Sequence, residues 1–129
     1  MAQIKIYGER KNLRRIREQL SAIIHEVAQE VLGLPENKRF HRFIPLDGED
    51  FIYPADRSAA YIIIEISMFE GRSTATKRRL LESLMQNIAE GLHLDPTDVE
   101  ITLFETPRSH WGIRGQTGDA LTLGYKVES

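Results

Sequence analysis

The sequence predicts an α/β (α+β) protein in which two tandem βαβ units form one four-stranded mixed sheet with two helices on one face. Three observations lead there. Apolar residues repeat at a constant offset of 60: Ile4 with Ile64, Ile6 with Ile66, Leu20 with Leu80, Ile24 with Leu84, Leu32 with Leu92, Leu34 with Leu94 and Phe43 with Leu103. Such self-similarity marks one supersecondary unit used twice. Each half also reads as a strand of period two, a long helical pattern and a second strand. Finally, 129 residues with 41% hydrophobic and 28% charged composition suit a single core. The expected organisation is one domain, 1–129, with halves of about 2–46 and 61–105, a connection at 47–60 and a C-terminal segment at 106–129.

Gln3, Ile4, Lys5, Ile6 and Tyr7 alternate as a half-buried strand. Asn12 suits a helix N-cap, and Leu13, Ile16, Leu20, Ile23, Ile24, Val27 and Val31 then recur at helical spacing until Gly33, a 20-residue amphipath. Pro35 and Asn37 carry a turn into a second strand near 39–46, which Pro45 confines to an edge or an end. The connection DGEDFIYPADRSAA is rich in turn formers. Tyr61 to Met68 makes a third strand whose run of Ile62, Ile63 and Ile64 is expected where both faces are covered, leaving Glu65 in need of a partner. Ser73 is placed to cap a second helix that turns Leu80, Leu81, Leu84, Met85 and Ile88 inward and ends near Gly91. Val99, Ile101 and Leu103 alternate as a fourth strand. HWGIRGQTGD, at 110–119, is expected to bend sharply rather than pair in register. Helices on one face leave the other face of the sheet to be buried, and self-association is the simplest way to do so.

Composition excludes several function classes. With no cysteine there is no disulfide framework, thiolate nucleophile or cysteine metal site. His25 and Glu26 open like a zinc-protease helix, but Gln29 stands where the second ligand belongs, so no metal and no cofactor are expected. Ser73 lacks the surroundings of a nucleophile elbow. A net charge of −2, without aromatic interleaving among the basic runs at Arg14, Arg15 and Arg17 or Lys77, Arg78 and Arg79, argues against nucleic acid. The absence of a long apolar run or a secretory pattern leads us to expect no membrane association and a cytoplasmic location. Of the 17 cationic residues 12 are arginine, whose planar fork suits small carboxylates, although surface solvation also accounts for many of them.

The doubled βαβ units, the GRS at 71–73 opening the second helix and the terminal tryptophan segment together resemble the tautomerase superfamily of 4-oxalocrotonate tautomerase and macrophage migration inhibitory factor. Length and order of parts are most similar to malonate semialdehyde decarboxylase and a bacterial branch beside it, with EDFIYPADRS and HWGIRGQTGD as the segments expected there. The resemblance covers essentially the whole chain and implies a homotrimer with a pocket for a small anionic metabolite. It also implies an amino-terminal catalytic proline, and AQIKIYG puts Ala2 in that place. If Met1 were removed, Ala2 would offer a primary amine with an ordinary pKa of roughly 7.7 to 8.0. If Met1 stays, strand alternation turns it to the face opposite Ala2.

The same resemblance makes Arg72 the counterpart of the arginine that binds the substrate carboxylate, where the helix start also favours anions. Its alternative is a solvated residue at a helix start. Trp111 and Arg114 would supply an apolar wall and a second cation, or Trp111 fills a subunit junction. Lys38 stands where the decarboxylases carry an aspartate, and Met68 lies near where they carry a further arginine; both departures argue against decarboxylation. Lys38 is then an anion contact or a solvated turn residue. Tyr53 and Arg57 are further candidates for substrate contact, though Asp56 and Arg57 also suit a pinned connection. Two functions are consistent with these residues. One is a carboxylate-binding or purely structural trimer without proline-dependent activity. The other is a keto-enol tautomerase using the amine of a processed Ala2.

Overall fold

The computed structural model describes residues 2–128. The chain runs β1 (Ala2–Glu9), α1 (Arg10–Leu32), β2 (His41–Leu46), β3 (Ile62–Phe69), α2 (Thr74–Leu92) and β4 (Val99–Thr106), then a short hairpin of β5 (Gly112–Ile113) and β6 (Gln116–Thr117). The main sheet has the order β2-β1-β3-β4, with β1 parallel to β2, β3 parallel to β4 and the two inner strands antiparallel. This is the expected mixed sheet, and Pro45 lies on an edge strand, where its missing N–H costs no inner ladder bond.

The repeat in the sequence is a repeat in the pairing. Ile4 faces His41 and Ile6 faces Phe43 in the first unit; Ile64 faces Ile101 and Ile66 faces Leu103 in the second, each partner again 60 residues on. Along the antiparallel seam Ala2 pairs with Met68 and Gly8 with Ile62, so the pseudo-twofold axis passes between Lys5 and Glu65. Those two side chains meet across the seam at 3.7 Å, which gives Glu65 its partner.

Burial follows strand parity. Ala2, Ile4 and Ile6 of β1 and Ile62, Ile64, Ile66 and Met68 of β3 form one core with Leu13, Ile16, Leu20, Ile24 and Val27 of α1 and Leu80, Leu84 and Ile88 of α2. The opposite face, with half-buried Tyr7, Ile44 and Ile63 and exposed Phe104, is left uncovered by the helices. Among the described residues no helix is long and apolar enough to cross a membrane.

Several local expectations are corrected. Asn12 is not the N-cap: α1 starts at Arg10 behind Glu9, and the Asn12 amide instead donates to the Ala60 carbonyl while its oxygen accepts from Arg15. The helix is thus 23 residues long, because the chain bends straight out of β1 into its first turn. Gly33 ends it as expected, in a left-handed conformation at φ 70° that lets its own N–H donate to the Gln29 carbonyl and the Leu34 N–H to the Ala28 carbonyl. Ser73 caps α2 by accepting from the Thr76 N–H, but the helix continues to Leu92, and His93, not glycine, takes the left-handed cap. Met85 is exposed rather than inward, being off the stripe that Leu80, Leu84 and Ile88 define. β2 begins two residues later than expected, β3 is displaced by one, and the 110–119 segment does pair, as the β5–β6 hairpin.

Candidate functional site

The candidate site lies at the end of the sheet where β1 begins. Ala2 pairs with Met68, and Met68 with Glu105, so these three residues form one row whose side chains point toward the helices. Beyond Phe69 the chain turns at Gly71, whose φ of 131° is closed to most side chains, and this turn swings Arg72 inward. Arg72 is only 6% exposed. Its Nη2 donates to the Leu32 carbonyl at 3.2 Å, serving one of the open carbonyls at the end of α1. Its Nη1 is buried and has no hydrogen-bond partner among the described residues. Burial lowers the Arg72 pKa, and the carboxylates of Glu105 and Glu128 oppose that shift. An arginine keeps its charge under such conditions, so the result is a buried cation with one arm unspent. Glu105 in turn holds Lys77 at 2.8 Å. Sequence reasoning sets Lys77 on a polar helix face and misses Glu105; only the tertiary structure joins the two, with Glu105 in the row of Met68.

The C-terminal segment forms the neighbouring wall. Trp111 meets Phe69 edge-on, with ring centroids 5.1 Å apart, and the Arg108 guanidinium lies 5.6 Å from the centre of the same ring. Arg108 also donates to the carbonyls of Gly118 at 3.1 Å and Leu121 at 2.9 Å, tying the hairpin to the C-terminal tail. Gly118 allows this closeness, since a side chain there would collide with the Arg108 carbonyl. Arg114 sits at the hairpin tip in a left-handed conformation, φ 51°, and is exposed. Trp111 therefore stands at the Arg72 end of the sheet, while Arg114 points its backbone bend into solvent. Lys38 is half-buried in the turn after α1, its N–H donating to the Pro35 carbonyl at 3.0 Å. That turn flanks the start of β1, where the Ile4 N–H donates to the Phe40 carbonyl.

Tyr53 and Arg57 lie elsewhere. The Tyr53 hydroxyl donates to Glu9 at 3.1 Å, and its ring packs with Phe51 and Tyr61. Arg57 binds Asp56 at 2.6 Å and Glu100 at 3.3 Å, and Ser58 donates twice to Asp98, through its N–H and its hydroxyl. These contacts pin the connection to the opposite end of the sheet, about 23 Å from Ala2 at the rise of an eight-residue strand. Burial and then the Glu9 hydrogen bond raise the Tyr53 pKa; for Tyr61 the causes are burial and then Glu100.

A histidine pair beneath the start of β2 escaped the sequence reading. His41 Nδ1 is 2.8 Å from the Ser21 hydroxyl, His25 Nε2 is 2.7 Å from the Glu36 carbonyl, and the two rings meet edge-on at 6.3 Å. Burial, then Arg39, then His25 lower the His41 pKa to about 4. The sequence offered His25 only as the opening of an incomplete zinc-protease pattern, and nothing in it announced the neighbouring ring. No group of three or more His, Asp or Glu side chains is placed to hold a metal ion among the described residues. Met1, whose orientation was an expectation of the strand pattern, lies outside them.

Comparison with known proteins agrees with this architecture. The 2-hydroxymuconate tautomerase of Pseudomonas putida is 32% identical over 57 residues, 44% of this chain and 90% of that protein. A malonate semialdehyde decarboxylase inhibited by 3-bromopropiolate superposes with a TM-score of 0.75 at 26% identity, over 84% of this chain and 86% of that one. A fused 4-OT wild type symmetric trimer superposes with a TM-score of 0.79 over 92% of this chain and 97% of that one, at 18% identity, a likeness of fold. The sequence profile of the family described as tautomerase enzyme matches residues 38–114, from the turn before β2 to the tip of the hairpin, and with that match the chain belongs to the tautomerase family.

Proposed function

We propose that this protein binds a small carboxylate, a 2-oxo acid or its enol, at the Ala2 end of the sheet and does so without the proline-dependent activity of its family. The observation that carries this reading is the state of Arg72. A guanidinium that is 6% exposed, with one arm bonded to a helix-end carbonyl and the other unpartnered among the described residues, is poised for an anion. The start of α2 adds its own partial positive charge. Ala2 in place of proline removes the secondary amine that the family uses. Trp111 supplies an apolar flank, and Lys38 and Arg114 are further cations at the rim of this end, whereas Tyr53 and Arg57 can join only if a second copy brings its opposite end alongside. A trimer of the kind described for the fused 4-OT relative would do this and would also cover the open sheet face. A cytoplasmic setting fits such a metabolite.

Pyruvate tests the site. Calorimetric titration is expected to give saturable binding that is lost in Arg72→Gln, a variant that keeps an N–H for the Leu32 carbonyl and removes the charge. Equal binding by the two proteins would refute the assignment.

The position of Ala2 favours a second reading, in which the amine of a processed Ala2 is the base. Ala2 is buried in the row of Met68 and Glu105, beside the anion site. The amine would take the hydroxyl proton of an enol and return a proton to carbon, with Arg72 holding the carboxylate. Intact-mass analysis showing loss of Met1, together with phenylenolpyruvate ketonisation above the buffer rate, is the outcome this requires. Retained Met1 or a buffer-level rate refutes it.

A further inference from the structure

Residues 121–128 form a segment whose burial alternates as in a strand although it joins no sheet. Leu121, Leu123, Tyr125 and Val127 turn inward, and Thr122, Gly124, Lys126 and Glu128 outward. Val127 is 2% exposed and joins Phe69 in a small core to which Trp111, Ile113, Leu123 and Tyr125 are packed. The segment passes directly over the turn that aims Arg72: a side chain on Gly71 would sit 3.3 Å from Val127 Cγ1 and 3.6 Å from Glu128 Cγ. Among the described residues, 122–128 make no backbone hydrogen bond to the rest of the chain, and the last tie is Arg108 on the Leu121 carbonyl. Among the described residues side-chain packing holds the segment down, so its release breaks no ladder of theirs. The Tyr125 hydroxyl is buried with no partner among the described residues, a group that gains hydrogen bonds when the segment lifts.

From this geometry we infer that Leu121–Glu128 is a strap closed over the anion site, anchored by Val127, which lays the exposed Glu128 over the Gly71 turn that precedes Arg72. The inference rests on the carboxylate reading of Arg72 and adds its regulation. A carboxylate ligand must unseat Val127, and passes the like charge of Glu128, before it reaches the unpartnered Nη1. The site's apparent affinity is then the intrinsic affinity reduced by the fraction of molecules with the strap open.

Pyruvate titration of the protein and four variants, Arg72→Gln alone among them, tests this. Val127→Asp, which puts a charge into the anchoring pocket, is expected to bind pyruvate about tenfold tighter than the wild type, as for a strap closed in about nine molecules of ten. Glu128→Gln, which leaves the anchor intact, is expected to tighten binding about threefold by removing that like charge. Arg72→Gln combined with Val127→Asp is expected to abolish it. Equal affinity in the wild type, Val127→Asp and Glu128→Gln, with binding still lost on Arg72→Gln, overturns the strap and leaves the carboxylate site standing. No binding by any of the proteins, Val127→Asp included, overturns the carboxylate site itself.

Discussion

His41 shows how one side chain sets a pH dependence. Its pKa is lowered from 6.5 to about 4, by burial first and then by Arg39 and His25. Between those values the unfolded chain binds a proton that the folded chain does not, so stability is fully present above about pH 6.5 and falls as the pH drops toward 4. Because the ring keeps a solvent-facing edge, the loss is expected to be on the order of 1–2 kcal/mol rather than the full shift. Urea unfolding at pH 7 and pH 4.5 should show this difference in the wild type and a reduced one in His41→Gln. Gly71 makes a second case at this scale. With φ at 131° and Val127 3.3 Å from any added Cβ, Gly71→Ala is expected to cost about 1–3 kcal/mol and to loosen the turn that aims Arg72. Of the candidate side chains, Arg72 was readable as a helix-start cation. Its burial was not, because the residues that cover it come from the end of α1 and the last turn of the chain.

At the scale of elements, α2 depends on its cap. Ser73 accepts from the Thr76 N–H at 3.1 Å, and Ser73→Ala is expected to destabilise the protein by about 1 kcal/mol, measurable as a lower urea midpoint with unchanged slope. Helix α1 behaves differently. Asn12 has the right chemistry for a cap, yet the helix begins at Arg10, because the Asn12 amide is drawn to the Ala60 carbonyl 48 residues away. The four strands and two helices were legible since each has a strong apolar period. The hairpin at 112–117 was not, since two pairs of residues carry no period and its pairing depends on where Arg108 and Phe69 hold it.

At the scale of the molecule, the open face of the sheet is where assembly is expected. Phe104 is 47% exposed beside half-buried Ile63, with Tyr7 and Ile44 on the same face. If the protein is a trimer that covers this face, Phe104→Glu should shift it to a monomer by light scattering on a sizing column, while its far-ultraviolet dichroism stays unchanged. A wild type that elutes as a monomer would remove the trimer. The two clusters of candidate residues, Ala2 with Arg72 at one end and Tyr53 with Arg57 at the other, can meet only between copies, since a rigid strand separates them within one.

The sequence by itself determined the doubled scaffold, for a repeat of apolar spacing at 60 residues dictates which faces are buried, and buried faces dictate how strands and helices stack. It also determined that alanine stands at position 2, which is a matter of residue identity alone. Only the tertiary structure decided which charges are spent. Whether Arg72 is solvated, bonded to Leu32 or left with an empty arm, and whether Val127 and Glu128 lie over the turn before it, depends on contacts between residues far apart in the chain, and such contacts leave no periodic trace in the sequence.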